Sequence, residues 1–201
     1  MEKLGDQKFE ELFAKFISTI TPPPIVSIPV FIIINYVLLG FKNSIFITLI
    51  CLLFAVFFPI LTSLILIKKM NTDLDITDRN KRTSPLILAV FSYIIGFLVL
   101  YIFNAPVLTI ALMFVYFSNT VLILFINFSW KISIHVMGVA GPIAALIYLF
   151  GSPEIIFCII IPFVMWSRIK LNKHTPYQVL AGAILGLILT WIQLYYIVPL
   201  F

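Results

Sequence analysis

Seven apolar runs dominate this chain, and few charges interrupt them. They cover Ile25–Phe41, Ser44–Ile67, Pro85–Phe103, Pro106–Phe128, Ile134–Phe150, Pro153–Trp166 and Tyr177–Leu200. Crossing a bilayer takes roughly 17–25 helical residues. In lipid, each backbone N–H and C=O must be paired within the segment or within a closed barrel. Such continuous apolar runs lack the alternation of a barrel strand, so each is expected to be a helix. Hydrophobic residues make up 62% of the chain and charged residues 10%. A soluble domain carries about 45–50% and about 25%, so one aqueous core cannot hide this much apolar surface. The expected fold is an all-α, polytopic transmembrane bundle of six or seven spans. The number turns on the first and sixth runs. Residues 1–201 are expected to form a single integral membrane domain with no nucleic-acid partner.

Ahead of the first run, Phe9, Leu12, Phe13, Phe16, Ile17 and Ile20 recur at helical spacing, with Lys8, Glu10, Glu11 and Lys15 between them. This pattern predicts an amphipathic helix over residues 1–21, lying in the membrane interface or packed on the protein itself. Pro22, Pro23 and Pro24 end it, because proline removes a donor and blocks the preceding turn. No secretory signal peptide is expected. Cys51 and Cys158 sit inside apolar runs at no metal-ligand spacing, which argues against a disulfide or zinc framework.

Alternating seven spans across the membrane places Lys3, Lys8, Lys15, Lys68, Lys69, Arg79, Lys81, Arg82, Lys131, Arg168, Lys170 and Lys173 on one side. Lys42 alone falls on the other, which accounts for all 13 Lys and Arg. The positive-inside rule assigns the basic side to the cytoplasm. Trp130 and Trp166 fall at the basic-side span ends, and Tyr195 and Tyr196 near the opposite end, as interfacial aromatics do.

Three polar segments meet on the basic side: Asp73–Pro85, Lys131–Gly138 and Ser167–Gln178. They contain both histidines of the chain, His135 and His174. Histidine is the side chain best suited to nucleophilic and acid–base work near neutral pH. Arg79, Lys81, Arg82 and Arg168 are candidates to hold a phosphate through charge-assisted hydrogen bonds. Two histidines with several arginines suggest phosphoryl transfer through a phosphohistidine, with no metal or other cofactor. Each residue also has a plain structural role open to it. A histidine at a membrane edge can simply be an interfacial polar residue. Ser133 can cap the fifth span, and Gln178 can complete a capping box with Thr175 ahead of Pro176. Asp73, Asp75 and Asp78 offer a rival chemistry, Mg²⁺ held on a diphosphate. Asp78 can equally orient Arg79 and Arg82.

The third segment resembles a motif of the type 2 phosphatidic acid phosphatase superfamily. Ser167-Arg168 is followed by five residues, His174, three residues and Gln178, where the family carries Asp. Ile132–His135 is similar to the family's Pro-Ser-Gly-His. Arg79–Pro85 occupies the place of its first motif, a Lys, six residues and Arg-Pro. The resemblance covers residues 73–186 and marks a divergent member. It implies that His174 attacks phosphorus and His135 protonates the leaving alkoxide. It implies that Arg168 and Arg82, with Arg79 or Lys81, hold the phosphoryl oxygens, assisted by Ser133. It places Gln178 where the family's Asp would orient the nucleophile. The implied activity is metal-independent hydrolysis of a lipid or polyprenyl phosphate or diphosphate. Two alternatives remain: a catalytically inactive lipid-binding or lipid-transporting protein on the same scaffold, and a Mg²⁺-dependent prenyl-diphosphate enzyme using Asp75 and Asp78.

Overall fold

The structure, a computed structural model, describes residues 2–73, 75–76 and 78–200, with side chains from residue 7 onward. Lys3, part of the charge tally above, lies outside the described side chains. Every regular element among the described residues is helical: α1 (Glu2–Ile20), α2 (Pro23–Leu52), α3 (Phe58–Met70), α4 (Thr83–Ile102), α5 (Val107–Asn127), α6 (Ile134–Phe150), α7 (Ile160–Lys170), α8 (Pro176–Ile184) and α9 (Thr190–Ile197). Five stretches are long and apolar enough to cross a membrane: Pro23–Met70, Asn80–Ile102, Val107–Asn127, Ser152–Lys170 and Pro176–Leu200. Ile134–Phe150 is a shorter apolar helix.

The first stretch is not one rod. Gly40 has φ 71° and ψ 172°, a backbone state essentially reserved for glycine. In a straight helix Asn35 and Thr48 would stand roughly 20 Å apart. Instead Asn35 Nδ2 donates to Thr48 Oγ1 at 3.1 Å, so the chain doubles back at Gly40. Thr109 on α5 donates to Asn35 Oδ1 at 2.5 Å, which ties this hairpin to the bundle. A π turn at Leu53–Phe57 then joins α2 to α3. It lies just ahead of Pro59, whose ring would clash with a regular preceding turn.

α6 is the central helix, packing against α2, α7, α8 and α9. Small residues make its closest approaches. A Cβ on Gly182 would stand 2.7 Å from Ser133 O, and one on Gly186 would stand 2.8 Å from Met137 O and 2.6 Å from Ala140 Cβ. The Gly182–Gly186 spacing therefore lets two backbones touch, as small residues do between helices in lipid. The contact locks the N-terminal turn of α6, bearing Ser133 and His135, against the first turns of α8.

α1 packs on the protein through Ala14 and Ile17, both buried. Ser167 Oγ donates to Ala14 O at 2.7 Å, and Phe13 packs against Trp166. Phe9, Leu12, Phe16 and Ile20 remain exposed. At 100° per residue this second apolar stripe lies roughly 130° around the helix from the first, so one helix carries both a protein-facing stripe and a free apolar one.

Candidate functional site

The turn between α7 and α8 shapes the first part of the site. Asn172 takes a left-handed φ of 53°, which asparagine tolerates. The chain then folds back, so that Lys173 N and His174 N both donate to Arg168 O, at 3.0 and 3.3 Å. Gln178 Oε1 accepts from Thr175 N at 3.2 Å and lies 3.0 Å from His174 Nδ1. A peptide N–H can only donate, so the atom facing it is the amide oxygen. The same oxygen facing Nδ1 requires the proton to be on Nδ1. That leaves the Nε2 lone pair of His174 available. Burial, reinforced by the Arg82 charge, holds the His174 pKa down to about 3, so the ring is neutral near physiological pH. A single amide oxygen thus caps α8 and sets the imidazole tautomer.

The second part comes from α6. Ser133 is fully buried; its Oγ accepts from Val136 N at 3.5 Å, the N-cap geometry. Its own N–H donates to Gln178 O at 3.2 Å, which joins the second and third segments. His135, two residues on, lies against the backbone carbonyl of Ser18 and in the field of Asp75, Arg82 and Arg168.

Two buried arginines brace the third part. Arg82 donates from Nε to Ile76 O at 2.7 Å, from Nη1 to Ile132 O at 3.3 Å and from Nη2 to Asp75 O at 3.4 Å. It ties the long loop to the segment ahead of α6 and still has two of its five donors free of these bonds. Arg168 is fully buried. Its Nη2 pairs with Asp75 Oδ1 at 2.8 Å, its Nη1 donates to the Ser18 hydroxyl, and its Nε has no partner among the described residues. Burial works to raise the Asp75 pKa, but the Arg168 charge and hydrogen bond outweigh it and hold the carboxyl below its usual range. Lys173 also pairs with Asp75, at 3.2 Å, and with Asp73, at 2.9 Å. Burial and the charges of Arg82, Arg168 and Lys173 lower the Lys131 pKa. Asp73 and Asp75 offset part of the charge of Arg168 and Lys173, and with Arg82 and Lys131 beside them the cluster keeps a net positive charge suited to an anion.

These parts surround one cavity of about 430 Å³, within the usual range for a small-molecule site. Asp75, Arg82, His135 and His174 line one end. Most of the remaining wall is apolar, with Ile60, Leu64, Ile67, Leu86, Ala89 and Ile123 among its residues. A second, polar hollow of about 630 Å³ lies between α1 and the α7–α8 turn, and Asp75 lines both.

The residues expected from sequence thus divide. His135, His174 and Arg82 face the cavity together. Arg168 lies behind Asp75 and does not line it. Gln178 acts through His174, and Ser133 caps α6. Lys81 is directed elsewhere, donating from Nζ to Met70 O at 3.2 Å. Arg79 contributes its carbonyl to Asn127 Nδ2 at 3.1 Å and does not line the cavity. Asp78 pairs with no arginine among the described residues; its Oδ1 accepts from Asn80 N at 3.0 Å and caps a short turn. The carboxylate that pairs with an arginine is Asp75, which sequence reasoning weighed only as a metal ligand. Nothing local distinguishes it from Asp73 or Asp78. Asp75 lines the cavity and Asp78 does not, and among the described residues no three His, Cys, Asp or Glu side chains gather within metal-holding reach. Ser18, on α1, was not expected at the site at all.

Compared with known proteins, the chain matches no family model, no curated protein and no solved structure.

Proposed function

We propose that this chain is an integral-membrane phosphohydrolase acting on a lipid phosphate through a phosphohistidine intermediate, as its motifs' resemblance to the type 2 phosphatidic acid phosphatases implies. The observation carrying this reading is the cavity wall: two imidazoles and Arg82, with Asp75 beside them, at one end of an otherwise largely apolar slot. A phosphate head fits the positive end and a hydrocarbon tail the remainder. In this reading the chain crosses the membrane seven times, counting the reversal at Gly40 and Ile134–Phe150. The free apolar stripe of α1 rests in the interface, and the basic site faces the cytoplasm.

The chemistry follows from the tautomer. His174 Nε2 attacks phosphorus, the bond from phosphorus to the alkoxide oxygen breaks, and His135 delivers a proton to that oxygen. In the second step water attacks the phosphohistidine while His135 accepts its proton, releasing phosphate and restoring His174. Arg82 stabilises charge on the phosphoryl oxygens. Gln178 keeps the Nδ1 proton in place. A neutral amide does so without the charge of the Asp in the family motif, so the imidazolium-like character that develops is less stabilised.

One observation favours the second reading, a lipid-binding protein without turnover. Arg168 is engaged by Asp75 and Ser18 and does not line the cavity. Phosphate release from a lipid phosphate by purified protein in EDTA separates the two. The hydrolase reading expects turnover by wild type and a loss of at least about 10³-fold in His174→Ala, since the nucleophile itself is gone. Tight lipid binding with no release would establish the second.

A further inference from the structure

Arg168 is the largest fully buried side chain among the described residues, yet its guanidinium is incompletely used. Nη1 donates to the Ser18 hydroxyl, and Nη2 donates to Asp75 Oδ1 at 2.8 Å. Nε meets no acceptor among the described residues. A buried donor left unmet is costly, the more so on a charged group. Asp75 does not remedy this, because it meets the guanidinium through one oxygen. Its other oxygen, Oδ2, pairs with Lys173 at 3.2 Å. A phosphoryl group can span Nε and Nη2 with two oxygens, the fork geometry that arginine favours.

Asp75 also stands in the right place to be exchanged. It lines both the largely apolar cavity and the polar hollow under α1, and it is the residue their described linings share. Its contact with Arg168 puts the guanidinium one carboxylate's width behind the cavity wall. Lys173 lines the hollow. Asp75 is partly exposed and Arg168 is buried, so the carboxylate has room to turn and the guanidinium has none. A rotation of the Asp75 side chain toward Lys173 keeps one ion pair and clears Arg168. The backbone is strained at this point as well. Ile76 holds φ 44°, a left-handed state that β-branched residues rarely adopt. Arg82, on the cavity wall, braces that turn by donating to Ile76 O at 2.7 Å. Strain of this kind persists only where the surroundings over-determine it, and it clusters at switches.

We propose that Asp75 is an internal stand-in for phosphate: it closes an anion subsite on Arg168, and a phosphate dianion opens that subsite by displacing the carboxylate toward Lys173. This rests on the lipid-phosphate reading of the cavity. Arg168 is then masked at rest, which is why it does not line the cavity. Apparent affinity equals the intrinsic affinity scaled by the fraction of molecules in which Arg168 is clear.

The probe is hexylphosphonate, whose carbon–phosphorus bond is not hydrolysed, so binding is read apart from turnover. Its Kd is measured by titration calorimetry in detergent on wild type, Asp75→Asn, Arg168→Met and the double variant. If the pair is closed in about nine molecules of ten, Asp75→Asn binds about tenfold more tightly than wild type, although it melts lower. A carboxylate that only anchored the loop would lose affinity along with stability. With Arg168→Met in place, the gain from Asp75→Asn falls close to unity, since no subsite remains to be cleared. A gain of the same size in that background marks plain repulsion between carboxylate and phosphonate, and would overturn the proposal. Equal or weaker binding by Asp75→Asn than by wild type overturns it too. Should Arg168→Met not fold, the ¹⁵N–¹H signal of Arg168 Nε in wild type decides. Displacement of Asp75 moves it downfield as Nε gains an acceptor; an unmoved signal at saturation rejects the subsite. Hexylphosphonate that binds neither wild type nor Asp75→Asn sinks the lipid-phosphate reading and this proposal with it. The expected binding pattern without hydrolysis of a lipid phosphate supports the subsite and removes turnover alone.

Discussion

Replacing Asp75 by Asn tests the electrostatic centre of this site. Asn keeps the size and one hydrogen-bond acceptor of Asp75, so the change removes mainly charge. The Arg168 side chain is 1% exposed and its Asp75 partner 23%, at 2.8 Å. Removing one partner of a fully buried ion pair costs about 3–5 kcal/mol, chiefly because the other charge stays buried alone. Partial exposure of Asp75 and the nearby Asp73 reduce this, and about 2 kcal/mol is expected. For a chain of this size that corresponds to a drop of about 4–8 °C in melting temperature, by the scaling of soluble domains. The assay is thermal unfolding in detergent, run in parallel on Asp75→Asn, Arg168→Met and the double variant. Removing both charges leaves no orphan, so the double variant should melt above the sum of the single losses. The carboxyl pKa is depressed in the fold, so its contribution is present above the ordinary carboxylate range. It fades only as pH falls through the lowered folded value. Unchanged melting of Asp75→Asn, or strict additivity in the double variant, would refute the argument that this pair anchors the long loop to α7.

Two further predictions concern the imidazole and the helix contact beneath it. Gln178→Glu keeps the acceptor but places a carboxylate against His174, which favours the imidazolium. The acidic limb of the pH–rate profile should move up from near pH 3, and a ¹⁵N titration of His174 should follow it. In wild type the folded pKa lies below the unfolded one, so the unfolded chain binds the extra proton between about pH 6.5 and 3. Stability should therefore fall as pH is lowered across that window. Gly186→Val puts side-chain atoms where Met137 O and Ala140 Cβ already stand. It should destabilise by about 1–3 kcal/mol through overpacking and lower activity by shifting α6, with differential scanning and phosphate release as the readouts.

Much of the helical layout was legible in the sequence because its causes are local. Apolar runs in lipid become helices since the backbone has no other partner there. The proline triplet ended α1, and Thr175 and Gln178 formed the expected capping box, a contact three residues apart. The sixth run was harder to read because its first seven residues, Pro153–Ile159, belong to a tighter 3₁₀ segment, Ser152–Ile159, before α7. What tertiary structure decided was partner choice. Asp75, not Asp78, meets Arg168, 93 residues away along the chain, and no local signal separates three aspartates in one loop. Lys81 turned back to α3, and Arg168 lay behind the cavity wall. Tyr93 and Thr190, which line the cavity, were not visible as lining residues for a related reason. A helix apolar on nearly every side carries little periodicity to show which face turns inward, so packing alone aims its few polar groups. The sequence by itself determined that these segments are helices; the fit of one helix against another, glycine against carbonyl, determined which side chains share a cavity.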